Sequence, residues 1–578
     1  MKSIRMIATR SALVRLSIAI GLTSLGAPWA LADAPKVSHL FPAGIQRGTT
    51  TTVTCGGDVP WPVKVWSSAG TAIASEEKGK LEITVPADLA VDRVWLRLYN
   101  EHGTSSPMPL LVGNVPEISE VEPNDSPTVA QKVTNAKPND SLATTINGVL
   151  QKNGDVDSFA VDLLEGQTLV AAVAANTAFG SPMDAILQVV SPNGTVLAEN
   201  HDDVGLDPRL AYRCKKSGIH VVRIFAFPSA PNQQIRFHGG ARYVYRLTLT
   251  TGPYITHAIP SAVSIESESA QVSQSVQPSG WNIPADSRLP VHQLFRSPDD
   301  QQIEFEAADF AVRRQSQIGI VTATNYAGCS RVRMVPHNVE SLVDAPTTNQ
   351  PKLLQAPLTV CSTIGERRDV DCFRIPMTKG TVYQIAVESV SLHSPLVPMA
   401  RLKDPTGKVV AEVRENSNAS DALLSHMAAV DGEYTLTIRD RYYHGGERYF
   451  YRLSVVPATC DFALSLASDS YEATSTKPGE IPVTVVRHTG SGTPIAEIKI
   501  EVIGLPPGAT ADSVVSKSEG DTSGKVTLTV KTDGTAFSGP IQIRGKAVGQ
   551  DVARTALTPE RFQCRFDSAW LTIPPSEN

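Results

Sequence analysis

A ten-residue segment that occurs twice is the strongest constraint on the fold of this chain. Residues 238–247 read HGGARYVYRL and residues 444–453 read HGGERYFYRL, so eight of the ten positions are identical. The pattern Asp-Val-Asp-x-Phe also occurs twice upstream, at 155–159 and 369–373. The distance along the chain between matching residues of the two copies falls from 214 at the aspartates to 206 at the histidines. The first copy is therefore eight residues longer between these points. Internal similarity of this kind predicts two copies of one domain.

The segments between turn residues are short and alternate in polarity. Residues 80–85 (KLEITV) and 526–530 (VTLTV) place apolar side chains at every second position, which is typical of half-buried strands. The 40 glycines and 41 prolines punctuate such runs throughout the 578 residues. At about 100–200 residues per domain, this length excludes a single core. The pattern predicts several all-β domains in series.

The first 32 residues have the features of a signal peptide. A basic start is followed by the mostly apolar stretch 16–26 and by Ala30-Leu31-Ala32, which predicts cleavage before Asp33. An uncleaved anchor is the alternative. No later apolar run is long enough to span a membrane, so we predict a secreted or periplasmic mature chain without a transmembrane segment.

The charge balance argues against a nucleic-acid partner. The formal net charge is −6, and residues 1–32 contribute four cations and no acids. Removal of that segment leaves −10, which is the wrong sign for binding a phosphate backbone.

An acidic, proline-punctuated segment precedes the first copy of the repeat. Residues 116–126 read PEISEVEPNDS, and the segments 146–150 and 154–159 follow in order. Together with Gly166, 191–194 and 202–203, they resemble the bacterial pre-peptidase C-terminal (PPC) domain family from about 117 to 249. The resemblance implies PPC-like domains at 114–254 and, through the repeat, at 356–457. PPC domains usually accompany secreted peptidases, where they are implicated in secretion, localisation or substrate binding.

The remaining segments divide into three further β domains. Residues 33–113 resemble IPT/TIG immunoglobulin-like modules, on the opening 41–44 (FPAG) and the threonine-rich 49–54. Residues 458–578 resemble secreted immunoglobulin-like modules with a Gly-Leu-Pro-Pro-Gly turn at 504–508. The intervening 255–355 carries no family motif and is predicted to be a divergent β domain. The expected fold is therefore all-β, with tandem jelly-roll and immunoglobulin-like β-sandwiches after a cleaved signal peptide.

The acidic segment and the first aspartate pair are candidate calcium ligands. Glu120 and Glu122 share one face of an extended strand, and Asp155 and Asp157 share another. Ca²⁺ takes about six to eight oxygen ligands, which the two segments together could supply. The resemblance to the calcium-binding PPC domains of secreted collagenases implies this ligand set: Glu120, Glu122, Asn124, Asp125, Asp155 and Asp157. The alternative is that the acids are solvated and the aspartates cap a turn.

The second copy lacks most of these features. Asp369 and Asp371 are present, but Arg367 and Arg368 precede them and no Glu-Pro-Asn-Asp segment does. Because adjacent cations oppose a divalent ion, we predict no calcium in this copy.

The repeated His-Gly-Gly strand has two interpretations. Tyr243 and Tyr245 alternate with arginines and could form a strip that binds a protein or a glycan. The favoured interpretation is that they are core tyrosines with the hydroxyl at the rim of the core. His238 and His444 are interpreted as turn residues.

The seven cysteines are widely spaced and contain no CxxC motif. Two disulfides are conceivable, Cys361–Cys372 and Cys460–Cys564, although sequence alone leaves the connectivity open.

No catalytic motif is recognised. Residues 102–107 (HGTSSP) resemble the segment around a subtilisin-type serine, but the α/β scaffold that such a nucleophile needs is absent. We therefore expect a non-catalytic binding or scaffolding protein, with calcium as the one candidate cofactor and an extracellular protein or polysaccharide as partner. The alternative is a secreted, peptidase-related hydrolase with an unrecognised site in 255–355, which offers His257, His292, Asp299, Asp300 and His337.

Overall fold

The computed structural model describes residues 33–134, 141–230, 236–265, 275–293, 304–306, 317–342, 346–413 and 420–575. These residues form strands with very little helix, which confirms the all-β prediction of tandem β-sandwiches. The described helices are one α-helical turn, α1 (Asn176–Phe179), and one 3₁₀ turn (Val390–Leu392). None of the described helices is long and apolar enough to cross a membrane. The predicted signal peptide, 1–32, lies outside the described residues.

The N-terminal domain consists of two facing sheets. One has the strand order β1-β3-β6-β5 and the other β2-β9-β7-β4, with β8 paired to β7. The strands are β1 (Lys36–Phe41), β2 (Gly44–Gln46), β3 (Thr49–Asp58), β4 (Lys64–Ser67), β5 (Thr71–Ala74), β6 (Lys80–Val85), β7 (Arg93–Asn100), β8 (Gly103–Thr104) and β9 (Met108–Gly113). Alternate side chains of β6 enter the core between the sheets, as the sequence pattern requires.

The first repeat domain also has two sheets, each of five strands. Their orders are β10-β12-β19-β14-β17 and β11-β13-β18-β15-β16. The strands are β10 (Glu117–Ser119), β11 (Gln131–Lys132), β12 (Ala143–Val149), β13 (Asp157–Leu163), β14 (Thr168–Ala174), β15 (Met183–Val190), β16 (Val196–Asn200), β17 (Arg209–Arg213), β18 (Gly218–Pro228) and β19 (Val244–Thr250). The acidic segment runs between β10 and β11, so it passes from one sheet to the other.

The second repeat domain has the same two strand orders, β29-β31-β38-β33-β36 and β30-β32-β37-β34-β35. Its strands are β29 (Asn338–Ser341), β30 (Lys352–Leu353), β31 (Leu358–Thr363), β32 (Asp371–Met377), β33 (Val382–Glu388), β34 (Pro398–Lys403), β35 (Val409–Val413), β36 (Ala422–Met427), β37 (Gly432–Asp440) and β38 (Phe450–Pro457). Its first two strands precede position 356, at which the sequence places the start of the second copy.

The middle domain lies between the two repeat domains. Its sheets have the orders β23-β22-β20-β27 and β21-β28-β26-β24. The strands are β20 (Tyr254–Ile259), β21 (Ala262–Ser264), β22 (Ser275–Trp281), β23 (Leu289–Pro290), β24 (His292–Gln293), β25 (Glu304–Glu306), β26 (Gln317–Val321), β27 (Ala327–Gly328) and β28 (Ser330–Val335). β25 pairs with a strand of the C-terminal domain.

The C-terminal domain has sheets of order β39-β41-β45-β43 and β40-β49-β46-β42-β44, with β47 paired to β46. The strands are β39 (Asp461–Leu466), β40 (Ser470–Glu472), β41 (Gly479–His488), β42 (Glu497–Ile503), β43 (Ala509–Ala511), β44 (Val514–Lys517), β45 (Lys525–Thr532), β46 (Phe537–Ala547), β47 (Ala553–Thr555), β48 (Cys564–Phe566) and β49 (Ala569–Ile573). β48 is the strand that pairs with β25.

The middle domain begins like the N-terminal domain. In each, the first strand pairs with the third through a shifted register, between Val37 and His39 and between Ile255 and His257. In each, the second strand pairs in parallel with the last. The Nδ1 atoms of His39 and His257 both lie 2.9 Å from the hydroxyl of the preceding residue. The strand arrangement therefore indicates that a two-domain unit occurs twice, followed by the C-terminal domain.

A buried ion triad joins the middle domain to the second repeat domain. Glu388 Oε2 lies 2.6 Å from Arg333 Nη1 and 2.8 Å from Arg452 Nε, and all three side chains are at most 1% exposed. Arg452 Nη1 also donates to the Ser261 carbonyl at 2.9 Å. In the first unit, Arg246 pairs instead with Glu117, and both of those side chains are 10% exposed.

Residues 560–566 of the C-terminal domain, here named the clasp, contact the other four domains. Phe566 packs edge-on against Trp95 of the N-terminal domain, with ring centroids 4.9 Å apart. Phe562 lies against Gly180 of the first repeat domain, and Gln563 lies 3.3 Å from His393 of the second. β48 pairs with β25 of the middle domain. The domains thus form a closed arrangement rather than an extended chain.

Both suggested disulfides are wrong, because all seven cysteines are free thiols. Cys361 lies in β31 and faces Ser261 of the middle domain at 3.4 Å, whereas Cys372 lies in β32 of the opposite sheet. Cys460 contacts the Gly490 carbonyl at 3.2 Å, and Cys564 lies in the clasp.

Candidate metal centre

Three of the predicted calcium ligands converge in the first repeat domain. One carboxylate oxygen from each of Glu122, Asp155 and Asp157 lies within 4.8 Å of the other two. Asp157 begins β13 and Asp155 lies in the turn before it, whereas Glu122 comes from the acidic segment between β10 and β11. Among the residues that the structure describes, this is the one group of three or more acidic, histidine or cysteine side chains close enough to share a metal ion.

Several polar atoms at this site are buried without a hydrogen-bond partner in the described structure. They are Oδ1 of Asp155, Oδ1 of Asp157, and both Oδ1 and Nδ2 of Asn124. All three side chains are 0% exposed. Because buried polar atoms are normally paired, three acceptor oxygens without hydrogen bonds beside a third carboxylate fit a hard cation that prefers oxygen ligands.

Main-chain hydrogen bonds fix the orientation of these side chains. The Asn124 N–H donates to Glu122 Oε2 at 2.8 Å, and the Asn124 carbonyl accepts from the Ser158 N–H at 3.1 Å. The Gln151 N–H donates to Asp155 Oδ2. The acidic segment is thereby tied to the start of β13, with one oxygen of each aspartate left without a hydrogen bond in the described structure.

The electrostatics of the site favour added positive charge. Burial, followed by the neighbouring Glu120, raises the pKa of Asp157 to about 10. Burial is also the largest cause of the raised pKa of Asp155. One cation is near, since Lys152 Nζ lies 3.9 Å from Asp155 Oδ1. A divalent ion would reverse the preference for protonated carboxyls.

Glu120 and Asp125, the other predicted ligands, lie at the edge of this group. Glu120 Oε1 accepts from the Val149 N–H at 2.8 Å, and its Oε2 lies 2.8 Å from the Tyr245 hydroxyl. That hydroxyl also contacts Asp157 Oδ2. Asp125 is 45% exposed and lies 3.6 Å from Lys152. Glu120 thus orients Asp157 through a shared tyrosine, and Asp125 lies at the rim.

Tyr245 contacts the candidate site, and the sequence did not reveal this contact. It is 0% exposed, which confirms the interpretation as a core tyrosine, but its hydroxyl reaches the acids. Gly148 lies opposite Tyr245 in the β12–β19 pair, and a Cβ there would fall 2.2 Å from the tyrosine ring. The available signal was Gly148 itself, a glycine within a strand, where close approach of another group is a common reason for the residue.

The first glycine after the histidine in each repeated motif packs closely against the turn that precedes the aspartate pair. A Cβ on Gly239 would lie 2.2 Å from the Lys152 carbonyl oxygen, and one on Gly445 would lie 2.0 Å from the Glu366 carbonyl oxygen. His238 and His444 lie in the corresponding loops before these glycines. The repeat is therefore explained by close contact between two loops in each copy.

The second copy holds its aspartates much like the first, with Asp371 Oδ1 also buried without a hydrogen-bond partner, but no third acidic side chain among the described residues joins them. The Asp371 carboxylate contacts the Tyr451 hydroxyl and lies 3.4 Å from Ser362 Oγ. Asp369 accepts the N–H groups of Gly365 and Val370 at 3.1 and 2.8 Å. Its carboxylate therefore caps a turn.

The residues considered for a hydrolase are dispersed. Ser105 Oγ accepts from the Leu98 N–H at 3.0 Å and donates to the Ser106 carbonyl. His337 Nε2 lies 2.9 Å from the Thr359 hydroxyl, and His292 lies on β24. Asp299 and Asp300 lie outside the described residues.

No family model and no curated protein matches this chain. Similar solved structures include the pre-peptidase C-terminal domain of a Bacillus anthracis collagenase, at 16% identity over 19% of this chain and 98% of that one, with a TM-score of 0.16. The Aeromonas hydrophila periplasmic lysozyme inhibitor PliG gives 12% identity, coverages of 23% and 96%, and a TM-score of 0.15. SGBP-B of Bacteroides ovatus, solved with a mixed-linkage heptasaccharide, gives 10% identity, coverages of 74% and 75%, and a TM-score of 0.14. Identities and scores this low establish neither a family nor a function for this chain.

Proposed function

We propose that this chain is an exported, non-catalytic binding or scaffolding protein whose first repeat domain is stabilised by one calcium ion. The observation that carries the metal assignment is the convergence of Glu122 with the unpaired buried oxygens of Asp155, Asp157 and Asn124. The fit is to a hard cation, because every candidate ligand is an oxygen.

The role of the ion would be structural. Glu122 and Asn124 belong to the acidic segment, whereas Asp155 and Asp157 belong to the entry of β13. A cation held by both would fasten the segment that follows the N-terminal domain to the core of the first repeat domain. Tyr245 and Glu120 would keep Asp157 in place, and Asp125 would add an oxygen from the rim.

Binding or scaffolding is the function class that the architecture favours. The clasp and the buried triad hold five β-sandwiches in one arrangement, and the candidate catalytic side chains of Ser105 and His337 are engaged in structural hydrogen bonds. Export rests on residues 1–32, and an extracellular protein or polysaccharide remains the proposed partner. A hydrolase with an unrecognised site is the alternative.

Calcium titration of the full chain tests the metal site. We expect one calcium ion per chain by isothermal titration calorimetry, with no measurable binding at millimolar calcium in Asp157→Asn. Asparagine resembles the protonated carboxyl in shape, so the fold should persist while a charged ligand is lost. The matched control is Asp371→Asn in the second copy, which should still bind one ion. Absence of binding by the native protein, a stoichiometry of two, or unchanged binding in Asp157→Asn would refute the assignment.

Replacing a glycine of the repeated motif with alanine should lower calcium affinity in the first copy and leave it unchanged in the second. In Gly239→Ala, the Cβ would displace the Lys152 carbonyl and with it the turn that carries Asp155, so calcium affinity should fall. Gly445→Ala crowds the second copy in the same way and should leave calcium affinity unchanged. Each should destabilise its own domain by about 1–3 kcal/mol, as overpacking generally does. Equal calcium affinities in the two variants would contradict the proposed coupling of this loop to the site.

A further inference from the structure

A loop of the second repeat domain displays two tyrosines to solvent. It comprises residues 441–444 and follows β37 directly. The Tyr442 side chain is 58% exposed and the Tyr443 side chain is 47% exposed. Adjacent large side chains that are exposed in this way, with polar groups around them, are typical of an interaction surface.

A buried carboxylate fixes the conformation of this loop. Asp440 is 1% exposed, and its Oδ2 accepts from the N–H groups of Tyr442 and His444 at 2.8 and 3.0 Å. Its Oδ1 accepts from the Val397 N–H at 3.0 Å. Tyr443 has a φ angle of +61°, a region that non-glycine residues seldom adopt. The exposed rings are therefore held in place before any partner binds, and such strained backbone clusters at ligand sites.

Each of the two tyrosines lies beside an arginine. The guanidinium carbon of Arg439 lies over the Tyr443 ring, 4.5 Å from its centroid. The guanidinium carbon of Arg441 lies over the Tyr442 ring at 5.5 Å. These are distances of cation–π contacts. The loop therefore presents two pairs of a cation and an exposed aromatic ring side by side.

Two further arginines face this loop from the turn before β32. Arg367 and Arg368 are exposed, and the Arg368 N–H donates to the Tyr443 carbonyl at 3.1 Å. Arg368 also has a positive φ, +69°. Within the part of the chain that the structure describes, none of the four guanidinium groups lies within 4 Å of a carboxylate. All four are therefore available to an anionic partner.

The acids of the same two segments are fewer at the surface. Asp440 is buried, and Asp369 accepts main-chain N–H groups within its turn. The exposed acids are Glu366 and Glu447. The four arginines thus outnumber the exposed carboxylates, in a chain whose formal net charge is −6. Charge complementarity favours an anion at this place.

The first repeat domain lacks these features. At the four positions that match the arginines, it has Asn153, Gly154, Phe225 and Phe227. Ala226 stands where the second copy has Asp440. The arginines and the capping carboxylate are therefore not required by the fold that the two copies share.

We propose that this surface, here named the Arg–Tyr face (Arg367, Arg368, Arg439, Arg441, Tyr442 and Tyr443), binds an acidic polysaccharide built from uronic acids. A uronic acid unit carries a carboxylate on a ring with apolar C–H faces, so one unit matches one arginine beside one tyrosine. Guanidinium groups bind carboxylates through paired, charge-assisted hydrogen bonds. An acidic peptide supplies carboxylates without the ring. The proposal rests on the binding role proposed above, names the partner for it, and needs no calcium.

Titration of the full chain with oligogalacturonate tests the proposal. Calorimetry is done with chelator present, so that neither the metal centre nor calcium bridging by the sugar contributes. We expect saturable binding at one site per chain, weakened about tenfold when sodium chloride is raised from about 50 to about 500 mM. Neutral dextran should not bind. Polyglutamate and single-stranded DNA, as probes for an acidic peptide and a nucleic acid, should bind at least about fivefold more weakly than oligogalacturonate, because they lack the stacked sugar acid.

Three variants identify the surface. Arg368→Gln combined with Arg441→Gln removes two guanidinium groups that make no side-chain hydrogen bond in the described structure, and should weaken oligogalacturonate binding about tenfold. Arg213→Gln combined with Lys215→Gln removes two exposed cations of the first repeat domain and should bind like the native protein. Tyr442→Ala should weaken oligogalacturonate binding about fivefold and leave polyglutamate binding unchanged.

The outcomes separate this proposal from the proposed function. Absence of saturable oligogalacturonate binding, native affinity in the double arginine variant, or equally tight binding of polyglutamate or DNA would overturn the Arg–Tyr face as a polysaccharide site. Binding accompanied by release of new reducing ends would support the surface while refuting the non-catalytic role.

Discussion

Replacing Glu388 with glutamine should cost about 3–5 kcal/mol of stability at the boundary between the middle and second repeat domains. The carboxylate is fully buried and pairs with both Arg333 and Arg452. Glutamine preserves its shape but removes the negative charge, so two desolvated guanidinium groups would lose their shared counter-ion. We expect amide hydrogens in β28 and β33 to exchange a hundredfold faster or more, measured by hydrogen-exchange mass spectrometry on the full chain.

The first unit provides the matched control for this variant. Glu117→Gln removes the acid that pairs with Arg246, but this pair involves a single arginine and is 10% exposed, so water can hydrate the remaining charge. Its effect on exchange in β12 and β19 should be clearly smaller. Similar acceleration in both variants, or native exchange in Glu388→Gln, would show that the triad is not what stabilises the boundary.

The second largest effect is expected from pH, through Asp371. Its side chain is 0% exposed, and burial raises its pKa from 3.8 to about 7. An acid with a raised folded-state pKa contributes stability that is fully present below the unfolded-state pKa and is lost as the pH rises through the folded-state value. The second repeat domain should therefore lose stability between about pH 4 and pH 7. At about 1.4 kcal/mol per pKa unit, the loss is on the order of 4 kcal/mol.

Asp371→Asn should remove this pH dependence, because asparagine is neutral at every pH. We expect the variant to be about as stable as the native protein at pH 4 and more stable at pH 8, measured by urea unfolding of both proteins with chelator present. The native protein thus serves as its own control across the pH series. A difference between the two proteins that does not change with pH would contradict the raised pKa of Asp371.

The fold class could be predicted from sequence because strand alternation is local. Residues 80–85 and 526–530 show it directly, and the His-Gly-Gly motif reveals the repeat. The similarity of the middle and N-terminal domains was not predictable in this way. Apart from His257 and Pro260, which match His39 and Pro42, the first strands share little sequence. Their common register shift becomes visible only when the strands are paired.

Some residues of the candidate sites could also be predicted from sequence, whereas others depend on how the strands pair. Glu122, Asp155 and Asp157 were predicted through the resemblance to calcium-binding PPC domains, which the close spacing of each pair of acids supports. The contact of Tyr245 with Glu120 and Asp157 depends on the register of β12 with β19, which no local pattern specifies. The Arg–Tyr face was not predicted, since it is assembled from two segments that are distant in sequence, 367–368 and 439–443.

The clasp also sets an order of events. It joins groups as far apart as Arg93 and Phe562, which are 469 positions apart along the chain. Synthesis begins at the N-terminus, so the clasp emerges after the four domains that it contacts. Contacts of the earlier sandwiches with the clasp can form only after that, and bringing such distant residues together carries an entropic cost that rises only slowly with chain length. The contacts between the clasp and the other four domains are therefore formed last.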